Sequence, residues 1–223
     1  MTWDEKFKTE SLRDLIYFPL LFNVVGSFLI GLLYVISPAS AVGSSQFNFV
    51  IYFSMFIVEW LLAFIVIRRF RKKNILLKEF ITPKKRFRLV PAILVFVSLN
   101  VLFTIYILYP LIPIPSMKNL DIIQLLFFLV LVPVTAGFVE ELIWRGYFIE
   151  KLLAKGYSNS KAVLFSAISF AFIHGFFILD KLIVTFLFGM IAATYYTRER
   201  NLIVLIVTHV VLDIIAFALK ILM

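Results

Sequence analysis

Two histidines are all this chain has, and each sits in a long apolar run. His174 closes Phe170-Ala171-Phe172-Ile173-His174, and His209 opens His209-Val210-Val211-Leu212-Asp213. A third apolar run carries adjacent carboxylates and a guanidinium, Glu140-Glu141-Leu142-Ile143-Trp144-Arg145. Carboxylates and imidazoles are the side chains that move protons near neutral pH, and zinc accepts both as ligands. A charged group in hydrocarbon costs roughly 3 kcal/mol or more, so ionisable residues in such runs mark a functional site by default. The three clusters together predict an enzyme active site set inside a membrane.

Spacing divides the roles. On a helix Glu140 and Glu141 point about 100° apart and cannot do the same job. Arg145 lies four residues after Glu141, on the same face, which makes it the charge partner of Glu141. Glu140 is left free to act on water as a general base. His174 shares a face with Phe170, and His209 shares one with Asp213. Each cluster has a plainer reading by itself: an acid–base group ending a helix, a histidine bonded to a neighbouring helix, or a private His–Asp hydrogen bond. The HExxH pattern of zinc proteases is missing. The placement of all three clusters on late helices, reachable from one side, favours a shared site. Glu59 is assigned outside it, as the partner of a neighbouring helix or of Arg68 and Arg69.

The elements that must position these residues follow from composition. The chain is 62% hydrophobic and 16% charged, with 26 Phe, which leaves too little polar surface to coat a soluble globule. The expected fold is all-α: one polytopic membrane domain over residues 1–223 with about seven transmembrane helices, each taking roughly 17–25 residues. The expected spans are 15–36, 47–67, 89–109, 120–138, 162–179, 182–197 and 202–221. Disulfides and thiolate chemistry are excluded, because the chain has no Cys.

The net charge of +9 raises nucleic acid as a partner, but ten of the 22 basic residues fall between Arg68 and Arg88. A basic cluster between two apolar runs marks a cytoplasmic loop, so the predicted partner is the lipid bilayer and not nucleic acid. This orientation places the N-terminus and residues 139–161 in the cytoplasm, with the site opening there, in a multi-pass protein of the cytoplasmic membrane. Ala39-Ser40-Ala41 resembles a cleavage site. The apolar run before it is too long for a signal peptide, and Asp4, Glu5, Glu10 and Asp14 precede that run, which predicts a retained first helix.

The fourth run continues without proline from Phe138 to Leu153, and Gly156 is the expected stop. Pro133 and Gly137 are expected to bend it just before the paired glutamates, which would open a cavity. Pro110, Pro113 and Pro115 mark an outer turn.

Glu140-Glu141-x3-Arg145, Phe170-x3-His174 and His209-x3-Asp213, in this order on successive membrane helices, resemble the CPBP family over about residues 120–220. This family, also called Abi, comprises type II CAAX prenyl endopeptidases and bacteriocin-processing or self-immunity proteases. The resemblance implies an intramembrane endopeptidase acting on a membrane-associated or small peptide, with a catalytic core at 120–220. It implies that Glu140 and His174 activate water, and that His209 and Asp213 stabilise the oxyanion or bind metal. Glu141, Arg145 and Phe170 would support them. Asp213 stands where prenyl-protease members carry Asn, and an ionised carboxylate cannot donate a hydrogen bond to an oxyanion. Asp213 therefore suits a metal ligand, an orienter of His209, or a protonated acid. Two chemistries stay open: a divalent metal, zinc first, held by His174 and His209, or metal-free hydrolysis driven by glutamate. Two other functions compete with proteolysis. One is a non-catalytic bacteriocin immunity protein. The other is a proton-coupled transporter, whose usual internal repeats are not evident here.

Overall fold

The computed structural model describes residues 3–8, 10–36, 44–78, 119–174 and 179–222. Among the described residues every regular element is helical: α1 Trp3–Lys8, α2 Asp14–Ile36, α3 Ser45–Lys72, α4 Ile122–Ala154, α5 Asn159–Ile173, α6 Leu179–Glu199 and α7 Leu202–Leu222. Four of them, α2, α3, α4 and α7, are long and apolar enough to cross a membrane. α5 has only 15 residues, short for a crossing, and α6 carries Lys181 near its start and Arg198 and Glu199 at its end. The span expected at 89–109, Pro110, Pro113, Pro115 and the Ala39-Ser40-Ala41 stretch lie outside the described residues. The seven crossings expected from hydropathy thus become four among the described residues.

The long fourth run behaves as its sequence predicts. Asp121 Oδ1 accepts the Gln124 N–H at 2.8 Å, and Gln124 Oε1 accepts the Asp121 N–H at 3.1 Å. This capping box satisfies two donors that would otherwise be orphaned. The helix then runs 33 residues to Ala154. Gly156 ends it at φ +82°, a left-handed conformation that glycine adopts without steric cost, and Tyr157 N–H closes back on the Leu152 carbonyl at 3.1 Å. Two stretches of α4, Phe127–Leu131 and Glu141–Ile149, are π-helical, with hydrogen bonds one residue longer than in an α-helix. The second begins at one of the paired glutamates.

α4 is the central helix and packs against α3, α5, α6 and α7. Lipid tails are as apolar as leucine, so helices in a bilayer are drawn together by close fit, and small residues permit it. Gly137 is such a point. A Cβ there would sit 2.6 Å from Val210 Cγ2 and 3.1 Å from the Ile206 carbonyl oxygen, so the glycine lets α7 lie directly on α4. Gly189 does the same for α6 on α5, where a Cβ would come within 3.2 Å of Ala167 and Phe170.

One end of the bundle is closed by charges. The Asp14 carboxylate accepts from Arg69, Lys151 and the Tyr147 hydroxyl, joining α2, α3 and α4. Glu10 adds an ion pair to Lys73 at 3.3 Å. Nearby, Glu150 accepts from Arg200 and from the Tyr196 hydroxyl. The basic cluster expected as a loop from Arg68 is helical as far as Lys72, because α3 continues five residues beyond the span expected to end at Ile67. Its arginine at 69 is taken up by this belt, not by Glu59.

Candidate active site

The clusters on α4, α5 and α7 meet about 10 Å along α4 from Tyr147 and the charged belt, at 1.5 Å per residue. Glu140 is 3% exposed, and its Oε2 lies 3.6 Å from His209 Nε2 and 3.9 Å from His174 Nε2. That oxygen has no hydrogen-bond partner among the described residues. A buried carboxylate oxygen left open between two imidazoles has room and motive to hold a water.

Glu141 turns away from this gap. Its Oε1 forms an ion pair with Arg145 Nη1 at 3.1 Å, the i,i+4 pairing that the sequence predicts. The same oxygen accepts from His209 Nδ1 at 2.9 Å. The arginine beside it makes Glu141 an acceptor, so the proton between them belongs to His209 Nδ1 and Nε2 is directed toward Glu140. Orienting His209 is one of the three roles that the sequence leaves open for Asp213. In the structure Asp213 Oδ2 lies 3.8 Å from Nε2, beyond hydrogen-bond reach, and Glu141 is what orients the ring. Asp213 is 29% exposed in its side chain and stands at the open side of the site.

Phe170 holds the assembly from beneath. The Arg145 guanidinium sits 4.2 Å from the centre of its ring, and the His174 ring packs edge-on at 5.0 Å. Phe188, 5.9 Å from Phe170, packs edge-on against His209 at 5.2 Å. Arg145 is thereby wholly buried between a carboxylate and two aromatic faces, the setting in which cation–π attraction is strongest.

His174 is placed differently from its sequence reading. It lies not deep within a helix but at the C-cap of α5, with its side chain 23% exposed. The last turn of α5 is held by Asn23 of α2, whose amide donates to the Phe172 carbonyl and, at 2.8 Å, to the Pro19 carbonyl. Ser166 Oγ donates to the Trp144 carbonyl at 2.6 Å, and Trp144 Nε1 donates to Ser169 Oγ at 3.1 Å, which stitches α5 to the π-helical stretch of α4. Asn23, Ser166 and Ser169 escape a reading for chemistry. A polar residue in an apolar helix was their only signal, and they share it with many purely structural residues.

Among the described residues no group of three or more His, Asp or Glu side chains is disposed to hold a metal ion. The Nδ1 bond to Glu141 leaves His209 Nε2 free, for a water or for a metal ion alike.

Residues 122–215 match the family model described as type II CAAX prenyl endopeptidase Rce1-like. Over this segment, somewhat less than half of the chain, the similarity supports a membrane protease of the CPBP family. No curated protein and no solved structure matches the chain. The CPBP segment starts at the first residue of α4 and ends two residues after Asp213, so it contains every one of the clustered residues. The family supports a peptidase working on a peptide substrate in a membrane environment.

Proposed function

We propose that this protein is an intramembrane endopeptidase in which Glu140 is the general base. The observation that carries the reading is the open, buried Oε2 of Glu140 facing both imidazoles at 3.6 and 3.9 Å. Water held there gives a proton to Glu140, and the resulting hydroxide adds to the peptide carbonyl carbon. His174, beside the same oxygen, orients that water. His209 in its imidazolium form presents Nε2–H to the developing oxyanion, a preorganised donor of the kind worth about 3–4 kcal/mol in other hydrolases. Glu140 then passes its proton to the amide nitrogen as the C–N bond breaks. Glu141 and Arg145 fix the imidazole, and Asp213 lines the entrance.

The substrate in this reading is a membrane-associated or small peptide, of the peptide- or bacteriocin-processing kind. The basic cluster assigns the charged belt to the cytoplasmic side of the cell membrane, and the substrate enters past Asp213 and His174, the exposed residues of the site. The test is cleavage of a peptide library by detergent-purified protein, read by mass spectrometry. Glu140→Gln should abolish cleavage while leaving helix content and thermal unfolding unchanged. Cleavage retained by that variant removes Glu140 from the mechanism.

A further inference from the structure

Glu59 sits midway along α3, 15th of its 28 residues. It belongs to the inward stripe of that helix, since Ala63 and Val66 on the same face are fully buried and Leu62 is 1% exposed. α3 is registered against α4 beside it: Trp60 Nε1 donates to Thr135 Oγ1 at 3.3 Å, and the Trp60 ring packs on Phe138 at 6.4 Å. Tyr52, seven residues earlier on the same face of α3, packs at 5.3 Å on Phe217, which shares a face of α7 with Asp213, so Glu59 is turned toward the side of α7 that carries Asp213. Among the described residues it makes no hydrogen bond and no ion pair. The belt arginines and lysines pair with Glu10, Asp14 and Glu150 instead.

Three helices thus carry carboxylates toward one side of the site, α3 with Glu59, α4 with Glu140 and α7 with Asp213. The second and third both converge on His209 Nε2, at 3.6 and 3.8 Å. The Glu140 oxygen aimed into this space is almost fully buried and unpartnered. Among the described residues Arg145 pairs with Glu141 on the far side of His209, and Lys220, seven residues beyond Asp213, donates to the Tyr52 hydroxyl. An acid kept in the middle of an apolar helix against like charge is costly unless something of opposite charge arrives.

We infer that Glu59 is a specificity-determining residue, which with Asp213 receives a cationic group of the substrate beside the bond to be cut. That group is a lysine or arginine side chain or a terminal amine. The inference rests on the endopeptidase reading for its purpose, but it makes a separate claim about binding. It also means that a free carboxylate on the substrate is disfavoured in this part of the cavity.

The probes are three fluorescent peptides identical except for lysine, norleucine or glutamate at one position, scanned along the sequence. Their binding to detergent-purified protein is followed by anisotropy, and their cleavage by mass spectrometry. At the position that meets Glu59, the wild type should bind the lysine peptide about tenfold or more tightly than norleucine, with glutamate weakest. Glu59→Gln should reduce the lysine preference to about threefold or less. Glu59→Asp, which keeps the charge, should restore most of it and guards against a merely damaged fold. Equal binding of lysine and norleucine peptides by the wild type at every position overturns the inference, as does an undiminished preference in Glu59→Gln. A lysine preference without cleavage by the wild type overturns the protease reading and leaves the acidic receptor standing.

Discussion

Glu141 and His209 stand 68 residues apart in the chain and 2.9 Å apart in the fold. One carboxylate oxygen serves both the imidazole of α7 and the guanidinium of Arg145, so the orientation of a reacting histidine and the burial of a cation depend on the same atom. Glu141→Gln should therefore lower cleavage roughly 10²–10⁴-fold. It should also destabilise the fold by about 3–5 kcal/mol, because the Arg145 charge is left buried and unpaired. Arg145→Met tests the division of labour, since Glu141 still holds His209 in that variant. Its loss of activity should be the smaller of the two, and the double variant should recover stability without recovering rate. Thermal unfolding in detergent alongside initial cleavage rates separates the two effects.

Gly137 brings α4 and α7 close enough for the reacting groups to meet. Gly137→Val drives side-chain atoms into Val210 and the Ile206 carbonyl, so the helices must part. Activity should fall at least about 10²-fold with helix content intact. Val210→Ala removes the nearest obstructing atom, Cγ2, and should partly rescue Gly137→Ala. The chain has no native cysteine, so spin labels at single introduced cysteines on the two helices can read the separation directly.

Asn23 lies far from the motifs in sequence but supports the turn that ends in His174. Asn23→Leu should lower kcat about tenfold, since the Phe172 carbonyl loses its donor and the imidazole its fixed position. Asn23→Asp should do no better than leucine, because a carboxylate cannot donate to a carbonyl. An unchanged kcat in both would show that α5 holds its own end.

Chelation addresses the alternative chemistry. With no three-ligand group among the described residues, prolonged dialysis against a chelator should leave the cleavage rate within about twofold of untreated protein. A loss restored by zinc alone would replace glutamate-driven hydrolysis with a metal mechanism.

What could be read in advance divides along physical lines. The helices were legible because an apolar run of spanning length has few other fates, and the stop at Gly156 because few residues accept positive φ. Glu141 with Arg145 was legible because spacing of four is a local property of a helix. The partnership of Glu141 with His209 was not, since no periodicity links residues on different helices. The side to which Glu59 turns was not legible for a related reason. On a helix apolar all round there is no polar face to tell inside from outside, so the direction of a lone acid cannot be read from its neighbours. His174 was placed too deep because hydropathy continues past the point where α5 ends.

Each π-helical stretch in α4 sets the residues that follow it out of step with an ordinary helix. A wheel drawn at 100° per residue from Ile122 has lost its phase by Lys151, where the helix is moored to Asp14. The stretch from Glu141 to Ile149 therefore acts as a rotary coupling between that mooring and the water-activating acid. Excising one residue such as Ile143 would swing the two ends against each other by about a quarter turn, and the protease would be silenced with every charged and polar side chain still present.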